Sequence, residues 1–148
     1  MKIKILGAVL LSALLTMNVS FADAAKDQAV KQVKDAIELA KKSGKDVAVA
    51  EINKGKFHEG ELYVTVFNEQ GVCLAHPIKP DFVGQNQMNK KDPGGVLYIK
   101  ERVEGVKKTG NVWTKFKFQN PISKKLEDKE MYSELYEGYV FSAGAYKK

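Results

Sequence analysis

The sequence predicts an α+β domain in which helices lie on one antiparallel sheet. Three observations carry that expectation. Apolar residues recur at steps of three and four over residues 25–42, the mark of one helix face. Residues 60–84 (GELYVTVFNEQGVCLAHPIKPDFVG) read as two apolar strands around a tight turn. Three strand-like runs then close the chain, at 111–119, 125–136 and 139–146, joined only by turn residues. Parallel pairing needs a long crossover, so short turns imply antiparallel neighbours.

In chain order, residues 1–22 differ in kind from the rest. Lys2 and Lys4 precede a short apolar run, Ile5 to Met17, and Ser20-Phe21-Ala22 and Ala22-Asp23-Ala24 are small-x-small cleavage patterns. This is the layout of a secretory signal peptide, and the run is too short for a comfortable membrane span. The mature chain is expected to be a single domain over residues 23–148, exported to a bacterial periplasm. Loss of Lys2 and Lys4 lowers the formal charge of +6 by two.

The helix over 25–42 carries lysines and acids on its polar face, with Lys31/Asp35 and Lys34/Glu38 at i,i+4 spacing. Ser43-Gly44 supplies a glycine stop. A short helix follows over 46–53, with Asp46 as its N-cap. The hairpin pairs residues 62–67 with 72–75 across Asn68-Glu69-Gln70-Gly71. Pro77 and Pro80 remove backbone donors, so the sheet stops at His76 and a stiff loop runs to about residue 91. Its length marks it as a candidate functional loop. Asp92-Pro93-Gly94-Gly95 turns into a helix over 95–108, with Val96, Ile99, Val103 and Val106 on one face. Along 111–119, Val112, Thr114, Phe116 and Phe118 share one face, while Trp113, Lys115, Lys117 and Gln119 share the other. Ser142, Ala143 and Gly144 in the last strand permit close approach of a neighbouring backbone. About five strands result.

Composition narrows the chemistry. The chain has 148 residues, 44% of them hydrophobic, which supports a normal core. Its single cysteine, Cys73, sits in an apolar strand, so neither an intrachain disulfide nor a cysteine zinc site is available. Of 24 basic residues only Arg102 is an arginine, and acids are interleaved, as in Glu101-Arg102. That pattern reads as a solvated surface and argues against nucleic acid as a partner. His58 and His76 lack companions at metal-ligand spacing. No nucleophile elbow, phosphate-binding glycine loop or carboxylate pair stands out, so no cofactor, metal or enzymatic activity is expected. By spacing alone His76 has two readings, a structural histidine bonded to loop backbone or a strand-end histidine facing a cavity. Polar tips on apolar bodies remain: Tyr63, His76, Lys129, Tyr132 and Tyr146 on or beside strands, with Trp113, Phe116 and Phe118 as walls. Such a set suits a small anionic ligand. Lys129 and Tyr132 are three apart, which puts them on opposite strand faces unless a bulge reunites them.

The segments LYVTVFNEQGVCLAHPIKPDFVGQN, KKDPGGV, GNVWTKFKFQNP, KEMY and FSAGAY, in this order and spacing, resemble the single Cache domain, type 2. The resemblance spans nearly all of the mature chain. It implies a long N-terminal helix followed by a PAS-like antiparallel sheet with a crossing helix and a cavity on one face. It also implies an extracytoplasmic sensor of small organic acids such as acetate, propionate, lactate or pyruvate. Carried over by position, His76, Lys129 and Tyr132 match motif positions near the pocket and Tyr63 matches the hairpin tyrosine; with Phe116 and Phe118 as apolar walls, these are the expected ligand-binding residues. Phe116 stands where many members have tyrosine, which makes the pocket more apolar. Members usually sense for chemoreceptors and histidine kinases, so the expected partners are a small carboxylate and a membrane receptor or kinase. No membrane helix or output domain follows Tyr146, which suggests a free-standing secreted module. The alternative is a ligand-free scaffold that regulates such a receptor.

Overall fold

A computed structural model describes residues 20–148 of the protein. The expected leader lies largely outside the described residues. Helix α1 spans Phe21–Ser43, four residues earlier than the apolar periodicity suggests. The Ser20 hydroxyl accepts from the Asp23 amide at 3.3 Å, and Asp23 places an acid in the first turn. Both features stabilise a helix start without contributing to the apolar stripe. The expected cleavage point before Asp23 therefore falls in the first turn of α1. Gly44 closes α1 with a positive φ of 97° and separates it from α2, Lys45–Asn53. Asp46 is not the N-cap of α2. It lies inside the first turn, and its carboxylate accepts from the Tyr139 hydroxyl at 3.4 Å.

Six strands form the sheet: β1 His58–Glu59, β2 Leu62–Asn68, β3 Cys73–Ala75, β4 Asn111–Gln119, β5 Leu126–Tyr136 and β6 Tyr139–Tyr146. The extra one, β1, has two residues and so no alternation to read. All pairings are antiparallel, in the order β1-β2-β6-β5-β4, and β3 also pairs with β2. Helix α3 spans Tyr98–Thr109, three residues later than expected at its start. The delay comes from the Asp92 turn. The Asp92 carboxylate accepts from the Val96 amide at 2.8 Å, and the Gly95 amide donates to the Asp92 carbonyl at 3.0 Å. Among the described residues no helix is long and apolar enough to cross a membrane.

Helices α1 and α2 cover one face of the sheet and α3 with the 77–92 loop covers the other. Period-two alternation splits each strand between two cores. Val64, Val66, Tyr132, Phe141 and Ala143 pack under Val33, Ala36 and Ile37 of α1. Phe67, Phe116, Met131 and Val140 pack under Ile99, Val103 and Val106 of α3. Gly105 lets α3 approach β4 closely, since a Cβ there would lie 2.8 Å from Val112 Cγ2.

Candidate functional site

The α3 face of the sheet encloses a cavity of about 20 Å3. Strand β2 contributes Tyr63, Thr65 and Phe67, β4 contributes Phe116 and Phe118, and β5 contributes Lys129 and Met131. The loop after β3 adds His76, Phe82 and Gln87, and α3 adds Tyr98, Ile99 and Arg102. The volume exceeds the roughly 10–15 Å3 that seats one water. It is room for one or two water-sized groups. Among the described residues no carboxylate lines it.

Lys129 is 2% exposed. Its Nζ donates to the Tyr63 hydroxyl at 3.0 Å and to the Tyr146 hydroxyl at 3.4 Å, and Tyr146 in turn donates to the Gln119 carbonyl at 3.0 Å. The ammonium also sits 4.1 Å from the Tyr63 ring centre and 4.6 Å from that of Tyr146. Burial holds its pKa well below the ordinary lysine range, and the charge of Arg102 adds to the effect. Burial likewise pushes the Tyr63 hydroxyl up to about 12, so Tyr63 stays neutral.

Gly144 on β6 makes room for the Lys129 stem. A Cβ at Gly144 would meet the Glu130 carbonyl oxygen at 2.7 Å and Lys129 Cε at 3.0 Å. Gly144→Ala is expected to destabilise the domain by about 1–3 kcal/mol, the usual cost of overpacking. A lower urea midpoint at constant m-value would register it.

Arg102 is the residue that sequence reasoning missed. It is not on the solvated surface. At 2% exposure it heads the largest fully buried side chains. Its guanidinium lies 5.6 Å from the Phe67 ring centre and 5.7 Å from that of Phe116. Among the described residues its one hydrogen bond runs from Nη2 to Met131 Sδ at 2.8 Å, and Nε has no partner. Burial pulls its pKa down to about 10, which leaves it charged at neutral pH. The signal was available: position 102 falls between Ile99 and Val106 at steps of three and four, on the apolar face of α3. The Thr65 hydroxyl is also buried with no partner among the described residues.

His76 fulfils both of its sequence readings geometrically. Its backbone amide donates to Asn53 Oδ1 at 3.1 Å, while Nδ1 accepts from the Lys79 amide at 3.1 Å. The ring packs between Tyr63 and Phe82, each 5.5 Å away, and lines the cavity. Burial, reinforced by Lys129 and Arg102, pushes its pKa down to about 3. The ring is therefore neutral, and with Nδ1 accepting, the proton sits on Nε2.

Tyr63, His76, Phe116, Phe118 and Lys129 come together around this cavity. Tyr132 does not. No bulge interrupts the β5 register, so Tyr132 points to the α1 face, where it packs on Trp113 at 5.4 Å and donates to Glu134 Oε2 at 2.7 Å. Trp113 is likewise no wall of the cavity; the Lys26 ammonium covers its ring at 4.7 Å. Burial pushes the Cys73 thiol up to about 11, consistent with a packing role.

The sequence profile described as Single Cache domain 2 matches residues 10–146. Among solved structures, a methyl-accepting chemotaxis protein from Vibrio parahaemolyticus is similar at 24% identity and a TM-score of 0.73, covering 84% of this chain and 89% of that one. A Cache chemosensory domain solved for its carboxylic acid recognition shows 22% identity and a TM-score of 0.72, over 84% and 95% of the two chains. The periplasmic sensor domain of a chemotaxis protein shows 21% identity and a TM-score of 0.69, over 86% and 93%. At these identities the solved structures establish the fold: an N-terminal helix and a PAS-like antiparallel sheet.

Proposed function

The chain belongs to the single Cache domain 2 family, and from that premise we propose that it binds a small organic acid in the cavity between α3 and the sheet. The observation that carries this reading is Arg102, a buried guanidinium with no oxygen acceptor, facing a cavity that also holds Lys129 and no carboxylate. An isolated buried charge costs several kcal/mol. A ligand carboxylate supplies the acceptor that planar guanidinium geometry fits best. Lys129, the Thr65 hydroxyl and His76 Nε2–H add donors around it, and Tyr63, Phe116 and Phe118 form the apolar walls for a short carbon skeleton. Acetate, propionate, lactate and pyruvate carry the suitable charge and are among the smallest carboxylates. The solved Cache domain with carboxylic acid recognition supports the same ligand class. Tyr132 drops out of this ligand-binding set because it faces α1.

A domain of this kind binds rather than transforms its ligand. Its expected use is to present ligand occupancy to a membrane receptor or histidine kinase from the exported side, after loss of residues 1–22. N-terminal sequencing of the secreted protein tests that leader. A second reading, a ligand-free scaffold, draws on the Tyr98–Phe116 stack at 4.5 Å and 5°, which fills part of the pocket. Thermal-shift titration separates the two. A ligand that binds only the folded state adds about 2.7 kcal/mol of stability at a hundredfold excess over Kd. The carboxylate reading expects a rise of several degrees with at least one of the four acids. No shift with any of them would leave the scaffold.

A further inference from the structure

The geometry points to a second, outer carboxylate subsite: a lysine-rimmed groove that serves as the entry vestibule of the buried cavity. This inference rests on the carboxylate reading above. The groove, of about 200 Å3, lies between the 77–92 loop and the end of β4. Phe82, Tyr98 and Phe118 line both the groove and the cavity, so three aromatic rings form the partition between them. Lys79, Lys90, Lys91 and Lys117 stand around the outer side.

Charge complementarity sets what this groove attracts. Lys117 is paired with Asp128 at 2.7 Å. Among the described residues the one carboxylate in the groove, Asp92, is already held by the amides of Val96 and Lys117, each at 2.8 Å. Lys79, Lys90 and Lys91 make no ion pair among the described residues. Lys79 Nζ donates to Gln119 Oε1 at 3.1 Å, which ties the loop to β4, and Lys90 Nζ sits 3.6 Å above the Phe82 ring centre. Uncompensated cations at the mouth of a low-dielectric cleft focus the field and raise the on-rate of an anion by tenfold or more. The apolar floor accepts the short carbon chain. Lys90 rests on the outer face of Phe82, one of the three partition rings, which puts its charge directly over the route inward. A small carboxylate is thus gathered in the groove and passes inward past Phe82 to Arg102 and Lys129.

NMR line-shape titration with acetate, propionate, lactate and pyruvate tests this, using the tightest binder as probe. Lys79→Gln/Lys90→Gln keeps the residue-79 amide that donates to His76 Nδ1 and leaves every residue that lines the cavity in place. At about 20 mM ionic strength the double variant is expected to lower the on-rate about fivefold, with the off-rate within twofold of wild type. The difference should vanish near 0.5 M salt, where the Debye length is only about 4 Å. Lys31→Gln/Lys41→Gln on α1 removes the same charge from the far side and should leave the on-rate unchanged. Phe82→Ala should raise on- and off-rates together. Equal loss in the α1 variant would assign the effect to net charge and overturn the vestibule, as would an unchanged on-rate in Lys79→Gln/Lys90→Gln. No saturable binding of any acid to the wild type would instead defeat the carboxylate reading, and the vestibule with it.

Discussion

Arg102→Met is expected to abolish carboxylate binding while leaving the ligand-free domain as stable as the wild type, or more so. The two halves follow from one fact: the guanidinium is buried between Phe67 and Phe116 with a sulfur as its one acceptor among the described residues. Methionine matches the length of the stem and packs against the same rings and Met131. Removing a poorly compensated buried charge then stabilises the empty domain by about 1–4 kcal/mol. In the complex, the ligand carboxylate would lose its bidentate partner and stay buried. Truncating one partner of such a pair costs about 2–5 kcal/mol, or roughly thirtyfold to several thousandfold in Kd. Isothermal titration with the tightest of the four acids reads the first half, and urea unfolding of the ligand-free protein reads the second. A purely structural arginine gives the opposite pattern, a loss of several kcal/mol in the empty domain, and that result would sink the binding role. Arg102→Lys separates charge from geometry, because it keeps the cation but not the planar fork.

The same residue shows where the sequence was legible and where it was not. Strand alternation placed Phe116 and Phe118 on the inner face of β4, and the hairpin with its prolines placed His76 at a strand end; the structure has both. The opposite-face rule for Lys129 and Tyr132 also held, and it sends Tyr132 to α1. Interleaved charge reads as a surface property of the whole segment, and that hides Arg102. Helix periodicity acts position by position, and 102 lies on the buried stripe although 101 does not. The two-residue β1 has no periodicity and depends on its pairing with β2, which is tertiary information. The late start of α3 has the same origin, since Asp92 is held by the amide of Lys117 across the fold as well as by Val96.

The second large effect concerns acid. His76 has an ordinary pKa of 6.5 when unfolded and one lowered to about 3 in the folded domain. Above pH 6.5 neither state carries the proton, and the stability that depends on the neutral ring is fully present. As pH falls through 6.5 the unfolded chain binds a proton that the folded chain refuses, so stability falls, until the folded ring protonates near 3. Each unit is worth about 1.4 kcal/mol, so acidification from 7.5 to 5 should cost about 2 kcal/mol. This window lies above the ordinary carboxylate range, so Glu61, Asp92 and Asp128, whose lowered values act in the same direction, add little to it. The cations facing the ring are Lys129, Arg102, Lys79 and Lys90. Lys129, with its own value lowered, also favours the folded state as pH rises, which is why the comparison must be a difference between proteins. His76→Asn carries no titratable ring, and its urea-unfolding free energy should fall less steeply than wild type between pH 7.5 and 5, by about 2 kcal/mol over that span. Parallel slopes would mean that the folded ring takes up its proton as readily as the unfolded one. His76 would then become a cation in the cavity, with Nε2–H still a donor but Nδ1 no longer able to accept from the Lys79 amide. A flattened slope keeps that donor in one tautomer down to the pH at which the domain itself gives way.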